Sequence, residues 1–500
     1  MTEDEREAEV AAFFQARAEK IIETNIARVY LEGERAWKIK RPVSLGYLDY
    51  GTAELRHWAL DRELAYNRAA APDIYRAVRA VTREADGSLA IDGAGEPVEH
   101  VLEMRRFDDT AVLAMQPWAV DGALAEALGR AVARSHAEAP ERPDAGGRSA
   151  LEYTIRSNAN LLNKLAPKLG EAAVAELIAA ADAALERMAP LLDARKEGGY
   201  GRRCHADLHL GNILLEDGRP ILFDCIEFND VLAEIDVLYD LAFLIMDLDF
   251  RRRRDAGVRV LSAYLDEAAR LFPEDIWAGL EALPLMLSVR AGVRCHVQAH
   301  SHDLEAAKAY LAAAIEHLKP HGAGLVAVGG LSGSGKSTFA RLVAPGLGAS
   351  PGAVVLRTDE IRKRMWGVGP LDHLPPAAYE REFGRTVYER MFHEASLALA
   401  AGRWVVMDAV FLDPAERTRA AEVAAKAGVP FEGVWLQTDP ALMRERVDAR
   451  TGDASDADAA VLETQLTRDP GDITWALTEA GADFDDEAGR LVSRLMERDT

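Results

Sequence analysis

The chain has 500 residues, of which 49% are hydrophobic and 28% are charged, a balance typical of folded globular proteins. Its formal charge of −23 disfavours a protein that coats nucleic acid or lies on an anionic membrane. Its three cysteines are scattered and offer no disulfide framework. The N-terminal segment does not resemble a signal peptide, and no run of residues is long and apolar enough to span a bilayer. We therefore expect a cytoplasmic protein.

The first hundred residues alternate between helical and strand patterns. Residues 8–22 have helical spacing, and the segments IARVYL and AWKIK predict two strands that meet at the turn of residues 32–34. A helix is predicted over 55–71. A hairpin around Asp86 and Gly87 and a strand in VEHVLEMRRF follow.

The rest of the chain has two different patterns. Residues 121 to about 320 are mostly helical, with one interruption at RRCHADLHLGNILLEDGRPILFDCIEF. Beyond it, short apolar strands alternate with helices, which indicates a parallel α/β sheet. We place a domain boundary near residue 321. This gives a first domain over 1–320, with lobes of about 1–105 and 106–320, and a second domain over 321–500.

The strongest motif is GLSGSGKS, which fits GxxxxGK[ST] and lies between a predicted strand and a predicted helix. Its glycines let backbone N–H groups point at phosphates. We expect Lys336 to bridge the β- and γ-phosphates and Ser337 to bind Mg²⁺. The sequence therefore predicts a site for ATP and Mg²⁺. Its nucleotide-binding residues are Gly330, Ser332, Gly333, Ser334, Gly335, Lys336, Ser337 and Thr338.

Further residues of the same half could complete a kinase site. Asp359 could accept a proton from a substrate hydroxyl and Arg362 could bind an anionic substrate group, although a helix N-cap with a solvated arginine fits equally well. Asp408 ends an apolar strand, as a Walker-B magnesium carboxylate does. A segment with three arginines could close over the phosphates as a lid, or form a solvated helix face. These arginines are Arg444, Arg446 and Arg450.

Together, SGSGKST, TDEIRK, VVMDAVFL and the arginine-rich segment resemble the small P-loop kinases related to polynucleotide kinase, zeta-toxin-type kinases and gluconate kinase. The resemblance covers nearly all of residues 324–500. It implies that Asp359 is the catalytic base, that Arg362 contacts the substrate, and that Arg446 and Arg450 contact the nucleotide. It implies a hydroxyl acceptor without selecting one, because substrates of these kinases range from sugars to nucleic-acid ends.

A second set of catalytic residue types lies in HADLHLGN and in FDCIEF. Asp207 and Asn212 share one loop, and Asp224 ends a nearby strand. A phosphotransferase needs one carboxylate for the acceptor hydroxyl and two oxygen ligands for Mg²⁺. His205 and His209 also suggest zinc, but no third ligand follows at a suitable spacing.

This segment resembles the catalytic loop of the aminoglycoside phosphotransferase and choline kinase group, the small-molecule branch of the protein-kinase-like fold. The resemblance implies that Asp207 is the catalytic aspartate, and that Asn212 and Asp224 bind the metal. It also implies the fold class: an α+β protein-kinase-like bilobal domain over residues ~25–320, followed by an α/β P-loop NTPase domain with a parallel sheet.

Upstream residues support this second nucleotide site. Lys38 and Lys40 of AWKIK share one strand face. We choose Lys38 as the lysine that binds the α- and β-phosphates, with Glu63 as its ion-pair partner. The alternative is that Glu63 is a solvated carboxylate on the helix surface. The segment around Glu103 and Met104 resembles the hinge that binds adenine. No glycine-rich GxGxxG loop precedes AWKIK, and the turn before it is a poor phosphate cover.

The leading hypothesis is a bifunctional enzyme whose two domains each use ATP and Mg²⁺ to phosphorylate a hydroxyl of a small molecule, such as a sugar, an amino sugar or a related metabolite. The arrangement resembles bacterial aminoglycoside phosphotransferase-family proteins that carry a predicted AAA-type kinase domain. One alternative is a single active kinase whose other domain senses ATP. A nucleic-acid end kinase is a weaker alternative, because residues 321–500 carry 20 Lys and Arg against 28 Asp and Glu. We expect no membrane partner.

Overall fold

The computed structural model describes residues 3–45, 48–449, 452–479 and 484–497. The chain divides into two compact units. The first comprises Met1–Ala119, Ala139–Gly146 and Gly199–Asp240, and the second comprises Val120–Glu138, Gly147–Gly198 and Leu241–Thr500. The predicted domain boundary near residue 321 lies within the second unit and stays a prediction.

Helices and strands alternate along the chain as follows. Up to residue 320 they are α1 (Glu3–Gln15), β1 (Lys20–Glu23), β2 (Ala27–Glu32), β3 (Arg35–Lys40), β4 (Ser44–Leu45), β5 (Leu48–Asp49), α2 (Ala53–Asn67), β6 (Tyr75–Arg83), β7 (Leu89–Ile91), β8 (Glu96–Arg105), α3 (Gly122–Glu138), α4 (Gly147–Leu169), α5 (Glu171–Glu197), β9 (Gly201–Arg203), β10 (Ile213–Glu216), β11 (Arg219–Leu222), α6 (Asp230–Ala233), β12 (Glu234–Asp236), α7 (Val237–Phe250), α8 (Arg254–Leu271), α9 (Leu283–His300) and α10 (Leu304–His317). Beyond it they are β13 (Leu325–Gly329), α11 (Lys336–Val343), β14 (Val354–Arg357), α12 (Thr358–Trp366), α13 (Arg381–Ala400), β15 (Val405–Asp408), α14 (Pro414–Ala427), β16 (Phe431–Gln437), α15 (Pro440–Asp448), α16 (Ala459–Leu466), β17 (Ala476–Glu479) and α17 (Phe484–Glu497).

The first unit is built on an antiparallel sheet with the strand order β1-β2-β3-β8-β6-β7. Successive side chains of a strand point to opposite faces. On β3, Trp37 packs with Phe14 of α1, whereas Ala36 packs with Leu60 of α2 and Leu214 of β10. The face that carries Ala36 is therefore the face predicted to carry the phosphate-binding lysine.

The helix predicted over residues 8–22 is wrong at its C-terminal end. Residues Lys20–Glu23 form the strand β1, which pairs with β2 at the edge of the sheet. The β-branched pair Ile21 and Ile22 suits a strand, and pairing with β2 satisfies its backbone groups.

The second unit contains a five-stranded sheet with the order β14-β15-β13-β16-β17. Every recorded pairing is parallel, which confirms the predicted parallel sheet. β13, β14 and β15 are buried along their whole length, as expected for strands covered on both faces. Their carboxyl ends meet at one edge of the sheet, where α/β proteins bind ligands.

Helices make up the rest of the second unit. The main packed pairs are α3 with α8, α4 with α5, and α9 with α10. Val258 of α8 joins the apolar core of the parallel sheet. Among the described residues no single helix is long and apolar enough to cross a membrane. The segment Glu274–Glu281 and α9 meet that test only as a pair, with a bend of 60° between them. Most of α9 is buried.

Candidate active sites

The first candidate site brings charged side chains of β3, α2 and the segment after β11 together. Lys38 Nζ lies 2.6 Å from Glu63 Oε1 and 2.6 Å from Asp224 Oδ1. Burial alone would lower the pKa of Lys38, but the carboxylates of Asp224 and Glu63 raise it well above its usual value. The expected pair of Lys38 and Glu63 is therefore present, and the lysine carries a fixed positive charge.

Lys40, the alternative lysine on the same strand face, has a different set of partners. Its Nζ lies 2.6 Å from Glu63 Oε2 and 2.5 Å from Glu227 Oε1. Tyr50 OH donates to the same oxygen of Glu227 at 2.7 Å. The Lys40 side chain is 1% exposed and that of Lys38 is 13% exposed, which favours Lys38 as the lysine that reaches a ligand. Sequence reasoning missed Glu227, although it stands three residues after Asp224 in FDCIEF.

The loop of HADLHLGN holds the predicted catalytic aspartate and one predicted metal ligand side by side. Asn212 Nδ2 donates to Asp207 Oδ2 at 2.8 Å and to the Asp207 carbonyl oxygen at 2.9 Å. Because the amide nitrogen is fixed in this way, the amide oxygen of Asn212 is the atom left to bind a cation. Asp240 Oδ1 accepts from Ala206 N at 2.6 Å and so anchors this loop.

Asp224, the other predicted metal ligand, is held by its backbone. Its φ is +60°, in the left-handed region, and its N–H donates to Tyr75 OH at 3.0 Å. His205 Nε2 lies 2.9 Å from the Phe223 carbonyl oxygen and so links the catalytic loop to the residue before Asp224. His209 Nδ1 accepts from the backbone N–H two residues later at 3.0 Å. These contacts give both imidazoles structural roles.

Glu103 and Met104, the predicted adenine contacts, lie inside β8. Met104 is paired in register with Ala36 of β3, and both side chains join the apolar cluster that contains Leu214. The Glu103 carboxylate accepts from Arg79 Nε at 2.9 Å. The cluster offers apolar contacts of the kind an adenine ring needs, and adenine binding by these two residues stays a prediction.

The turn of residues 32–34, a poor phosphate cover by its sequence, also lies away from the candidate lysines. The register pairs Ala27 with Lys40, so this turn lies at the far end of the β2–β3 hairpin. The turn that lies beside Lys40 joins β1 and β2, where Thr24 Oγ1 accepts from Ala27 N at 3.0 Å. The sequence interpretation missed it because β1 was expected to be helical.

The second candidate site begins at the loop between β13 and α11. Gly330, Gly333 and Gly335 have φ values of +142°, +78° and +96°, which favour glycine. A Cβ at Gly333 would lie 2.5 Å from the Met443 carbonyl oxygen. Since α11 begins directly after Gly335, the loop ends at a helix N-terminus, as phosphate binding requires.

Side chains from outside the loop fix its shape. Gln465 accepts from Ser332 N at 2.8 Å, and Thr438 Oγ1 donates to the Ser334 carbonyl oxygen at 3.1 Å. Lys336 Nζ donates to the carbonyl oxygen of Leu331 at 2.9 Å. Thr338 lines the adjoining cleft.

The two predicted magnesium ligands of this site are in contact. Ser337 Oγ donates to Asp408 Oδ2 at 2.6 Å. Sequence reasoning missed Arg357, which donates to Asp408 Oδ2 and to Ser337 Oγ, each at 3.2 Å, and to Asp453 at 2.9 Å. Burial alone would lower the pKa of Arg357, but the carboxylates of Glu360 and Asp408 raise it. An arginine at the end of an apolar, buried strand is the signal that could have found it.

The P-loop opens into a cleft of about 1180 Å³. Asp359 and Arg362 of α12 both line it, together with Lys336 and Asp408. Asp359 forms no hydrogen bond or ion pair with any other residue that the structure describes. Arg362 Nη1 donates to the Ala378 carbonyl oxygen at 2.7 Å. The structure thus brings the predicted base, substrate contact, lysine and metal carboxylate to one cleft.

The three arginines of the predicted lid differ. Arg446 lines the cleft, and its Nη1 donates to the Gly333 carbonyl oxygen at 3.4 Å. Arg444 Nε lies 2.6 Å from Glu463 Oε1 on the exposed surface, which fits the alternative of a solvated, ion-paired helix face. Arg450 lies outside the described residues.

Comparisons with known proteins match both parts of the chain. A model described as "Phosphotransferase enzyme family" matches residues 53–282, and one described as "AAA domain" matches residues 325–469. Uncharacterized protein Rv2004c of Mycobacterium tuberculosis (strain H37Rv) is 31% identical over 462 residues, which cover 89% of this chain and 89% of that protein. Uncharacterized protein Mb2027c of Mycobacterium bovis has the same identity and coverage.

Solved structures of kinases also match. A gluconokinase from Sinorhizobium meliloti 1021 is 25% identical, with a TM-score of 0.24, and the match covers 35% of this chain and 94% of that one. The APS kinase CysC of Mycobacterium tuberculosis is 22% identical with a TM-score of 0.26, over 36% of this chain and 99% of that one. A choline/ethanolamine kinase family protein from Mesorhizobium loti is 15% identical with a TM-score of 0.38, over 64% of this chain and 96% of that one.

Proposed function

The chain belongs to a family in which a phosphotransferase-enzyme-family region precedes an AAA-type P-loop domain, and from this premise we propose that it is a bifunctional ATP-dependent kinase. Each site transfers the γ-phosphoryl group of ATP to a hydroxyl of a small molecule, such as a sugar, an amino sugar or a related metabolite. We place this activity in the cytoplasm, without a membrane partner or a nucleic-acid substrate.

The observation that carries the proposal is that two separate groups of side chains each combine residue types that phosphoryl transfer needs. The first set has a carboxylate-bound lysine, Lys38, and a hydrogen-bonded pair of Asp207 and Asn212. The second set has a P-loop lysine, Lys336, and a carboxylate without partners among the described residues, Asp359, in one cleft. A module that only senses ATP needs no acceptor base, so a base in each set favours two kinases.

In the second site the reaction proceeds by one displacement at phosphorus. The acceptor oxygen attacks the γ-phosphorus as the bond to the β–γ bridging oxygen breaks, and ADP leaves. The proton of the acceptor hydroxyl passes to the carboxylate of Asp359. Lys336 and the backbone N–H groups of the P-loop neutralise the negative charge on the phosphate oxygens.

In the first site the same displacement uses different side chains. The carboxylate of Asp207 takes the proton from the acceptor hydroxyl, and Asn212 holds this carboxylate at 2.8 Å from its amide nitrogen. Lys38 binds the α- and β-phosphates while Glu63 keeps it in place.

Both sites offer the hard oxygen donors that Mg²⁺ prefers. Ser337 and Asp408 would hold the ion in the P-loop site, and Asn212 and Asp224 would hold it in the first site. When bound, Mg²⁺ neutralises charge on the β- and γ-phosphates.

A phosphoryl-transfer screen tests the proposal. The full chain, Asp207→Ala and Lys336→Ala are given ATP and a panel of hydroxyl metabolites, and the phosphorylated products are identified. Loss of a general base or of a phosphate-binding charge lowers turnover by about 10²–10⁴-fold. We therefore expect one group of products to disappear in each variant. An exposed-surface variant, Arg419→Ala, is the matched control and retains both groups.

One observation favours a second candidate, in which the first site only senses ATP. Lys38 is ion-paired with Asp224 as well as with Glu63, so the lysine and a metal ligand neutralise each other directly. If every product survives Asp207→Ala and disappears in Lys336→Ala, the sensor hypothesis replaces bifunctionality. If no hydroxyl acceptor outpaces water in any of the proteins, both kinase assignments are wrong.

A further inference from the structure

The cleft beside the P-loop is lined by a group of arginines in addition to the basic residues nearest the loop. Besides Lys336 and Arg446 near the loop, five arginines line the cleft. Arg341 is paired with Glu126, and the other four come from three segments. They are Arg362 of α12, Arg381 and Arg385 of α13, and Arg468 after α16.

The guanidinium groups of three of these arginines have no partner among the described residues. Arg381, Arg385 and Arg468 are exposed, and their guanidinium groups form no ion pair or hydrogen bond with any residue in the described ranges. In a chain of net charge −23, carboxylates are abundant, so an unpaired group of arginines needs an explanation. Arg362 has one N–H, at Nε, that is buried without a hydrogen-bond partner in the described part of the chain.

The helix α13 gives an internal comparison. Arg390 and Glu394 have the i, i+4 spacing and form an ion pair with an N–O distance of 2.7 Å. Arg385 and Glu389 have the same spacing, yet no ion pair forms between these two described residues. Arg381 and Arg385, also four residues apart, both line the cleft instead. Like charges at this spacing destabilise a helix slightly, so their common orientation fits a shared anionic partner.

In the described part of the chain, none of the carboxylates that line the cleft forms an ion pair with Arg381, Arg385 or Arg468. Asp413 accepts from Ala415 N and caps α14, and Asp469 accepts from Gly471 N at 2.9 Å. Burial raises the pKa of Glu416 to about 7, so it is partly protonated at neutral pH. Asp408 and Asp453 are paired with Arg357. Among the described residues of the cleft, the carboxylates left without an ion pair or a side-chain hydrogen bond are Asp359, the proposed base, and Glu380.

We propose that the acceptor of the P-loop site is a small anionic metabolite, whose phosphate, sulfate or carboxylate group is bound by Arg381 and Arg385 with help from Arg362 and Arg468. This inference rests on the proposed function and names the substrate class of its second site. Arginine suits the role because its planar fork forms paired hydrogen bonds to such groups. Binding the anion places a hydroxyl of the same molecule near Asp359.

The overall charge favours a small molecule over a nucleic-acid end. A polynucleotide brings many phosphates towards a surface of net charge −23, whereas a metabolite brings one or two into a local arginine group. The reaction stays the displacement described above, in which the acceptor oxygen gains the phosphoryl group and Asp359 takes the proton.

Sulfate binding tests the arginine group without reference to catalysis. Sulfate is titrated into the full chain with saturating ADP and followed by isothermal calorimetry, for wild type, Lys336→Ala and the double variant Arg381→Ala/Arg385→Ala. Loss of a charge-assisted contact costs about tenfold in affinity or more. We expect the Arg381/Arg385 variant to weaken sulfate binding at least tenfold and Lys336→Ala to leave it in place. Binding that depends on Lys336 alone, or none at all, overturns the inference.

Matched acceptors test the same inference in turnover. In the Asp207→Ala background, gluconate is compared with glucose, and glycerol 3-phosphate with glycerol. We expect the anionic member of at least one pair to have a kcat/KM at least tenfold higher. The double arginine variant should raise its KM at least tenfold and leave the KM for ATP unchanged. Both arginines are exposed, and thermal unfolding of the variant checks that it remains folded.

The outcomes separate this inference from the proposed function. Equal use of neutral and anionic members, or preferred phosphorylation of a 5′-hydroxyl oligonucleotide, overturns the small-anion inference and keeps the kinase. Arginine-dependent sulfate binding without transfer to any acceptor supports the anion site and counts against the kinase assignment.

Discussion

The two candidate sites hold their phosphate-facing lysines in different ways. Lys38 lies within 2.6 Å of the carboxylates of Glu63 and Asp224, which come from distant parts of the chain. Lys336 donates to the carbonyl oxygen of Leu331, five residues before it. The first lysine is therefore part of the tertiary structure, whereas the second belongs to a local loop whose shape its glycines determine. Two lysines with the same predicted role, phosphate binding, thus depend to very different extents on the tertiary structure.

The largest expected effect comes from removing each lysine in turn. Lys38→Met leaves two carboxylates of a largely buried cluster without their shared cation, and breaking such a pair costs about 4 kcal/mol of unfolding free energy. Lys336→Met should cost less than about 1 kcal/mol, as most substitutions outside buried networks do. Urea unfolding, followed through midpoint and slope, measures both.

A double variant controls for the loss of the side chain itself. In Lys38→Met/Glu63→Gln one of the stranded charges is gone, so part of the stability should return, although Lys40 then loses a partner as well. Equal losses in the two single lysine variants would contradict the distinction between a tertiary and a local lysine.

The P-loop site has its own buried cation, Arg357, and its removal should have the next largest effect. Arg357→Gln leaves Asp408 and Asp453 without the guanidinium that contacts both, at a cost of about 3 kcal/mol. The pKa of Asp453 is lowered to about 2, since Arg357 outweighs the effect of burial. Because the pKa of Asp453 is lower in the folded state than in the unfolded state, where it is about 3.9, the ionised carboxylate stabilises the folded protein above this pH. That stabilisation is lost as the pH falls towards 2. Urea unfolding at pH 2.5 and pH 6 should therefore show a smaller difference between wild type and variant at the lower pH.

The local features could be predicted from the sequence, and the distant ones could not. The P-loop and both fold classes followed from contiguous motifs, and the family matches and the parallel sheet confirm the fold. Asp408 and Ser337 were both predicted to bind magnesium, and their side chains are in contact. Parallel pairing of β13 with β15 brings the carboxyl ends of these strands together and explains the contact. Arg357, Glu227 and Tyr50 were missed, since their partners lie far away in the sequence and no spacing rule connects them.

The edge of the first sheet shows a second limit of sequence reasoning. The segment KIIE has helical spacing with the residues before it, but its pairing with β2 makes it a strand. Tertiary pairing outweighs local propensity at such positions. As a result the turn beside Lys40 was overlooked, and the turn at the wrong end of the hairpin was considered instead.

Gly333→Ala tests whether the second site depends on local backbone shape. The added Cβ would lie 2.5 Å from the Met443 carbonyl oxygen, at a φ of +78°, so we expect a loss of about 2 kcal/mol in unfolding free energy. Since the loop must shift, ATP affinity should fall at least tenfold in a fluorescent-nucleotide titration.

Gly428→Ala is the matched control, because Gly428 has a φ of +69° with nothing within 4 Å of its Cβ position. It should cost about 1 kcal/mol and leave ATP affinity unchanged. Unchanged ATP affinity in Gly333→Ala would show that the loop is adaptable.

The smallest effect is expected at Glu416, a carboxylate of the P-loop cleft that lies beside Tyr388. Glu63 and Asp224 of the first site have lysine partners, whereas burial raises the pKa of Glu416 to about 7. The unfolded chain ionises this group near pH 4.3, so the folded state loses relative stability as the pH rises from about 4.3 to about 7. Glu416→Gln removes this penalty. The full shift would correspond to about 3–4 kcal/mol, but Glu416 is only partly buried and solvent screens its charge. We therefore expect the variant to gain about 1 kcal/mol over wild type at pH 8 relative to pH 4.5, measured by urea unfolding at both values. A constant difference across this range would mean that Glu416 ionises normally and that its charge offsets the arginines of the cleft.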